Sequence, residues 1–218
     1  KYIEHPDLEP PFLCLIVSGG HTHLVIVKDY GVFEILGRTR DDAAGECFDK
    51  CARAMGFPYP GGVHIDKASV SGNKDAYELP RPKVTGSEFD FSFSGLKTAV
   101  INLLHNSQQK GIEINKNDLS AGIQYTISDI LCEKTMAAAE MLGYKTIAVA
   151  GGVSANSGVR AAFEKACAER DMKLYLPPLN LCGDNGAMIA CQGYYNYLDG
   201  QRGDESLNAV ATLSLEEI

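Results

Sequence analysis

The chain has 218 residues, a length that suits one large domain or two small ones. Apolar residues make up 45% and charged residues 22%, as in an ordinary soluble globular protein, and no apolar run approaches the roughly 20 residues of a membrane span. The net charge of −8 argues against nucleic-acid binding by this chain alone.

The seven cysteines indicate a reducing compartment. Their number is odd, and they lack the CxxC pairs of a zinc site. Cys47 and Cys51 lie one helical turn apart, a spacing more typical of two small buried residues than of a redox pair. We therefore expect reduced thiols in a cytoplasmic protein, with no signal peptide and no membrane association.

The first predicted elements form a hairpin. Residues 1–11 contain three prolines and no periodicity, which is typical of a linker. Two apolar runs, 14–17 and 24–27, predict strands, and Ser18-Gly19-Gly20 between them predicts a turn in which glycine supplies positive φ. The same tip could instead cradle a phosphate with its backbone N–H groups. A third strand is predicted from Val32.

Helices follow in the middle of the chain. Asp41 and Asp42 precede a helical pattern that stops at Gly56, and a short helix follows the "FPYPGG" break. Two longer helices are predicted, from Gly95 to about residue 108 and from Asp118 to about residue 142. Lys97 is unfavourable in the first turn of a helix, so we expect an anion close to it.

The last third alternates strand and helix, which predicts parallel strands in an α/β sheet. One strand runs into "GGVSAN", and the next leads to "LCGDNG" and Asp184. Both loops belong at the carboxyl edge of the sheet, where ligands bind. The alternative is that both only begin helices, with Ser154 or Asn156 capping one and Asp184 the other.

Three further sets of residues remain ambiguous from the sequence. Asp49 lies on the first helix, where a solvated face is the ordinary interpretation, and Asp66 follows a glycine pair that allows close approach of a ligand. His21 and His23 share one face of a strand, but no third metal ligand is near in sequence, which favours a structural role.

Six motifs in fixed order carry a resemblance that none carries alone. They are "VSGGHT", "DDAAGECFDK", "YPGG", "DFSFSGLKTA", "AGGVSAN" and "CGDNGAMIA". Their series resembles the tRNA threonylcarbamoyladenosine transferase family, formerly called O-sialoglycoprotein endopeptidase, in its bacterial type. The sequence departs from the family pattern at Val63 and Gly183, neither of which is a ligand.

The resemblance implies an actin-like ATPase fold, an α/β architecture of two related halves with the ligand between them. Residues 12–218 would be mainly the second half, residues 1–11 a linker, and the N-terminal half would be absent. That missing half would carry an H-x-x-x-H pair of metal ligands. We therefore expect an incomplete fragment that is inactive alone.

The resemblance implies an acyl transfer. The threonylcarbamoyl group would pass from threonylcarbamoyl-adenylate to N6 of the adenosine beside the anticodon, in tRNAs that read codons beginning with A. Asp49, Gly62 and Asp66 would contact the nucleotide or the threonyl part, and Asp184 would bind one divalent iron or zinc ion. The adenylate would be held by Ile16, Val17, Ser18, Gly19, Gly20 and Asn156.

The resemblance also implies partners, namely a tRNA, a scaffold paralogue and a small ATPase. Two other functions compete with the transferase. One is a catalytically silent scaffold paralogue, which retention of Asn156 and Asp184 disfavours. The other is a phosphotransferase of the actin-like superfamily, which consumption of ATP with an acceptor would reveal.

Overall fold

A computed structural model describes residues 2–210. Five strands form one sheet: β1 Phe12–Val17, β2 Thr22–Asp29, β3 Val32–Arg38, β4 Thr146–Ala150 and β5 Lys173–Tyr175. Six α-helices accompany it: α1 Ala44–Ala54, α2 Gly61–Ser69, α3 Ser94–Gln109, α4 Lys116–Leu142, α5 Ser157–Glu169 and α6 Gly186–Leu198. Short 3₁₀ turns cover Gly152–Ala155 and Leu179–Leu181. Every strand and helix predicted from the sequence is present.

The sheet order is β3-β2-β1-β4-β5. The first three strands are antiparallel neighbours, and β1, β4 and β5 run parallel. The expected parallel strands of the last third are therefore confirmed. Since β1 and β4 end side by side, the Ser18 turn and the Gly151-Gly152 loop lie at one edge of the sheet.

The two faces of the sheet bury different residues. Leu13, Leu15 and Val17 of β1 point into the main core, which also contains buried residues of α1, α3, α4 and α5. Phe12 and Cys14, on the alternate positions, belong to a smaller cluster with Tyr175 on the opposite face. The period-2 pattern of β1 thus produces a sheet that is buried on both sides.

Residues 2–11 have no helix or strand, but they pack against the β5 side of the sheet. Leu8 is 1% exposed, and the Asp7 carboxylate accepts a hydrogen bond from the Tyr175 hydroxyl at 2.8 Å. Whether residues 1–11 act as a linker stays a prediction. So does the extent of the remaining domain, because residues 211–218 lie outside the described residues.

Several helix starts differ from the expectation. Asp41 and Asp42 precede α1, but the residue before this helix is Ala43, without a side-chain cap, so the expectation that an aspartate supplies its start signal is wrong. Asn185, and not Asp184, caps α6 by accepting a hydrogen bond from the Met188 N–H. Asn156 caps α5, as one of the sequence alternatives held.

Gly151 allows β4 to end against β1. Its φ of +97° is one that L side chains rarely adopt, and a Cβ built on it lies 2.3 Å from the Val17 carbonyl oxygen. The Val17 carbonyl belongs to the backbone of a paired strand, so it cannot move aside as the end of a flexible side chain can. Any residue other than glycine would push apart the two strands that carry the edge loops.

We expect Gly151→Ala to lower the free energy of unfolding by about 2 kcal/mol or more, through strain and the clash with β1. Gly152→Ala is the matched control, because a Cβ at Gly152 meets nothing within 4 Å. It should change the stability by less than about 0.5 kcal/mol. Urea unfolding measures both, and equal midpoints for the two variants would contradict this account.

Among residues 2–210, no helix combines the length and the apolar content that a membrane span requires.

Candidate functional site

The β1–β2 turn is closed by Ser18. Its N–H donates to the His21 carbonyl at 2.8 Å, and its hydroxyl accepts from the N–H groups of Gly20 at 3.3 Å and His21 at 3.0 Å. The Gly19 N–H makes no hydrogen bond within the described part of the chain. The serine therefore fixes the turn and leaves one backbone donor exposed at its tip.

Gly19 and Gly20 are glycines for a reason other than the one expected. Neither has a positive φ, so the prediction that the turn requires it is wrong. A Cβ on either would meet no atom of the described chain within 4 Å. Neither backbone strain nor packing requires glycine at the tip. What the two glycines provide is open space in front of the backbone.

Helix α1 approaches the turn from the other side. The Gly45 N–H donates to the Ser18 carbonyl at 3.1 Å, and a Cβ on Gly45 would lie 2.6 Å from that oxygen. Sequence reasoning missed Gly45. The available signal was a glycine within a helical pattern, which weakens a helix and so points to a packing reason.

Two of the predicted site carboxylates bond to helix starts. Asp49 of α1 accepts hydrogen bonds from Gly61 N–H at 2.7 Å and Gly62 N–H at 3.3 Å. Asp66 of α2 accepts from the Ser157 N–H at 3.2 Å and its hydroxyl at 2.5 Å. Asp49 therefore joins α1 to α2, and Asp66 joins α2 to α5.

Asn156 is 8% exposed and has a partner for both ends of its side-chain amide. Its oxygen accepts from the Val159 N–H at 3.0 Å, and its nitrogen donates to the Gln124 side chain at 2.8 Å. Gln124 in turn donates to the Ser69 hydroxyl at 2.8 Å. This chain of bonds connects α2, α4 and α5 and holds the loop after β4.

The remaining predicted positions are spread around the edge of the sheet. Val17 is fully buried, whereas Ile16 is half-buried on the opposite face beside Ala150. Gly62 has ordinary contacts only, with Phe48 3.7 Å from a built Cβ, so packing does not demand glycine there.

Asp184 is exposed in the loop before α6. Among residues 2–210, no cluster of three His, Cys, Asp or Glu side chains could hold a metal ion. One exposed carboxylate is too small a donor set for tetrahedral or octahedral coordination. The described residues therefore do not by themselves fit the metal that the resemblance implies.

The Asp41-Asp42 pair contacts the first turn of α3. Asp41 accepts hydrogen bonds from the N–H groups of Phe93 at 2.8 Å and Ser94 at 3.2 Å, at the start of α3. The Lys97 Nζ atom lies 2.9 Å from Asp42 Oδ2, so the Asp42 carboxylate is an anion of the kind expected near that lysine. Burial by itself would raise the pKa of Asp42, but Lys50 and Lys97 outweigh it, and the pKa lies below its usual value.

The cysteine pair of α1 is buried, as expected. The Sγ atoms of Cys47 and Cys51 lie 4.0 Å apart, too far for a disulfide. The neighbouring Cys51 thiol, together with burial, raises the pKa of Cys47. Both residues act as small apolar side chains under the site.

Solved structures identify the fold. The chain is similar to full-length HypF in its phosphate- and nucleotide-bound form, with a TM-score of 0.67, 13% identity and coverage of 91% of this chain and 34% of that one. It is also similar to component A of the (R)-2-hydroxyglutaryl-CoA dehydratase of Acidaminococcus fermentans, with a TM-score of 0.52, 18% identity and coverage of 91% and 65%. The chain is an α/β protein of the actin-like ATPase fold, as predicted.

The family is identified by sequence. The model of the family described as TsaD, tRNA N6-adenosine threonylcarbamoyltransferase, matches residues 1–191, and the chain belongs to that family. Proteins of that name from Clostridioides difficile strain 630 and Clostridium botulinum strain Hall are 50% and 49% identical over 217 residues. The match covers all of this chain and 64% of each relative, so the chain spans less than two thirds of their length.

Asp66 offers a test of what the site carboxylates do. We expect Asp66→Ala to lower the free energy of unfolding by about 1 to 2 kcal/mol, because it leaves the Ser157 N–H at the start of α5 without an acceptor. Asp66→Asn keeps an acceptor oxygen and should lose less. Asp75→Ala, at an exposed carboxylate that pairs only with neighbouring groups, is the control and should stay within about 0.5 kcal/mol.

Chemical denaturation of the three variants gives the answer. If Asp66→Ala is as stable as the parent chain, Asp66 does not hold α5, and a purely ligand-binding role would be favoured instead.

Proposed function

We propose that this chain forms the nucleotide-binding part of a tRNA threonylcarbamoyl transferase. The function is that in the names of its relatives, and the chain covers 64% of the first two. Activity, substrates and partners are therefore inferred for a longer protein. The actin-like fold and the loops at the carboxyl edge of the sheet are consistent with a nucleotide-derived substrate.

One observation carries the proposal, and it is the geometry of the Ser18–Gly20 turn. The turn is fixed by the Ser18 hydroxyl, pressed from behind by Gly45, and open in front of Gly19 and Gly20. A phosphate group can approach such a backbone closely and accept hydrogen bonds from its N–H groups. We infer that the turn binds the phosphate of threonylcarbamoyl-adenylate, with Gly151-Gly152 beside it for the adenosine.

In the proposed reaction, negative charge develops next to this turn. The N6 amine of the tRNA adenosine attacks the carbamoyl carbon and releases one proton to solvent, the bond from that carbon to the phosphate oxygen breaks, and AMP leaves with the electron pair. Negative charge grows on the phosphate oxygen during that step. The exposed Gly19 N–H is suited to stabilise it, as preorganised backbone donors do in other acyl transfers.

The other predicted residues take supporting roles in this proposal. Ile16 and Val17 end β1 and carry the turn. Asn156 and Asp66 position the loop after β4 through the hydrogen bonds described above, while Asp49 of α1 and Gly62 of α2 border the nucleotide.

The proposal also includes a metal ion and partner proteins. The family resemblance implies a divalent iron or zinc ion with Asp184 as one ligand, and the other ligands would come from outside the described residues. It also implies a cytoplasmic complex with a scaffold paralogue and a small ATPase. Because this chain carries a net charge of −8, such partners are a reasonable source of basic surface for tRNA.

A chimera tests the function. The residues of the Clostridioides difficile relative that precede its match would be joined to this chain, and the product given threonylcarbamoyl-adenylate, partners and unmodified tRNA. We expect mass spectrometry of the digested tRNA to detect the modified nucleoside for the chimera and none for this chain alone. A folded but inactive chimera, beside an active parental relative, would contradict the proposal.

Gly20 tests the turn within that chimera. Gly20→Val fills the open space, so we expect kcat/KM for the adenylate to fall by about tenfold or more. Stability should be unchanged, since nothing packs there. Gly193→Ala on α6, where a Cβ also meets nothing within 4 Å, is the control. Equal activity of both variants would remove the turn from the substrate site.

A further inference from the structure

The strand that leaves the Ser18 turn carries two histidines. His21 is exposed, His23 is half-buried, and their ring centroids lie 5.5 Å apart. His21 directly precedes β2, and His23 lies two residues on within that strand, on the face of the sheet opposite the main core. No metal cluster includes them among residues 2–210. The function proposed above assigns them no role.

An arginine stands beside them. His23 pairs directly with Arg38 of β3 on one side and with Ile16 of β1 on the other. Directly opposed residues of antiparallel strands point to the same face. Arg38 is exposed, so the two rings and the guanidinium line one open surface next to the turn.

These groups lack the acidic partners that basic residues usually have. No salt bridge to His21, His23 or Arg38 occurs in the described part of the chain, although the whole chain has 28 acidic residues. The Asp90 carboxylate accepts a hydrogen bond from the Arg38 backbone N–H, but its ion pair is with Arg40. The groups facing His23 are His21, Arg38 and the apolar Ile16. Burial, followed by the neighbouring His21 and Arg38, lowers the pKa of His23.

We propose that His21, His23 and Arg38 form an anion-binding site for a phosphate group at the mouth of the turn. A guanidinium and imidazole N–H groups are well suited to phosphate oxygens, and no ion pair within the described part of the chain occupies these three side chains. The site extends the one proposed for the adenylate. Naming the adenylate or the RNA as the source of the phosphate rests on the proposed function. The existence of the anion-binding site does not.

The phosphate could come from two sources. One is the phosphate of the adenylate, held together with the Gly19 N–H. The other is a backbone phosphate of the RNA that reaches the same edge. Both present the same chemistry to the three side chains, so the probes must separate them.

Nuclear magnetic resonance of histidine rings in the 218-residue chain tests the proposal. Inorganic phosphate, AMP and a single-stranded RNA with hydroxyl ends are titrated separately. We expect saturable shifts of the His21 and His23 rings with phosphate and a rise in the pKa of His23. The ring of His105, exposed on α3, is the internal control and should not follow.

Two arginine variants give the matched comparison. Arg38→Gln should weaken phosphate binding by about tenfold, whereas Arg53→Gln, at another exposed arginine that forms no ion pair in the described part of the chain, should not. Backbone spectra verify that both fold, and His23→Gln replaces Arg38→Gln if the latter does not.

Each outcome is decisive. Tighter binding of AMP than of RNA supports the adenylate as the source, and tighter, steeply salt-dependent RNA binding supports the RNA backbone. Absence of saturable shifts, shifts shared by His105, or equal effects of the two arginine variants would overturn the site. Because no transfer is measured, this result is independent of whether the chimera modifies tRNA.

Discussion

The structure depends on the close approach of three backbone segments at the end of β1. The Val17 carbonyl is met by Gly151, and the next carbonyl, of Ser18, is met by Gly45. No side chain larger than hydrogen fits at either glycine without moving a strand or a helix. The turn therefore has a rigid support on both sides, although its tip is exposed. Such support is what a phosphate-binding loop needs, because a donor that must first be ordered contributes less to binding.

Three carboxylates also bind the N-termini of helices that lie further along the chain. Asp41, Asp49 and Asp66 accept hydrogen bonds from N–H groups at the beginning of α3, α2 and α5 respectively. Each bond satisfies donors that a helix cannot satisfy itself, and each fixes the position of one helix relative to another. Two of these residues were candidates for substrate contact. Their hydrogen bonds indicate that they shape this side of the sheet by positioning backbone.

The sequence was informative about local structure and less so about partners. Strands β1, β2 and β4 were predictable because β-branched residues form short apolar runs, and the helices because their apolar residues recur at helical spacing. The partner of Asp41 was not predictable, because it lies 52 positions further along the chain. Glycine was the main ambiguity. Gly151 has the positive φ that glycine often signals, Gly19 and Gly20 do not, and Gly45 serves close packing alone. Gly151, Gly19 and Gly20 all lie in loops that follow a strand, so the sequence does not distinguish their uses, whereas Gly45 differs by its position within a helical pattern.

Native-state amide exchange of the 218-residue chain tests the rigid support of the turn most directly. The account predicts that the Ser18 and Gly45 amides, which bond to His21 and Ser18 carbonyls, exchange as slowly as amides in the middle of β1. The Gly19 amide should exchange rapidly. If Ser18 and Gly45 exchange as fast as Gly19, the turn is not held by its neighbours, and the claim that it is a preorganised phosphate-binding element is wrong.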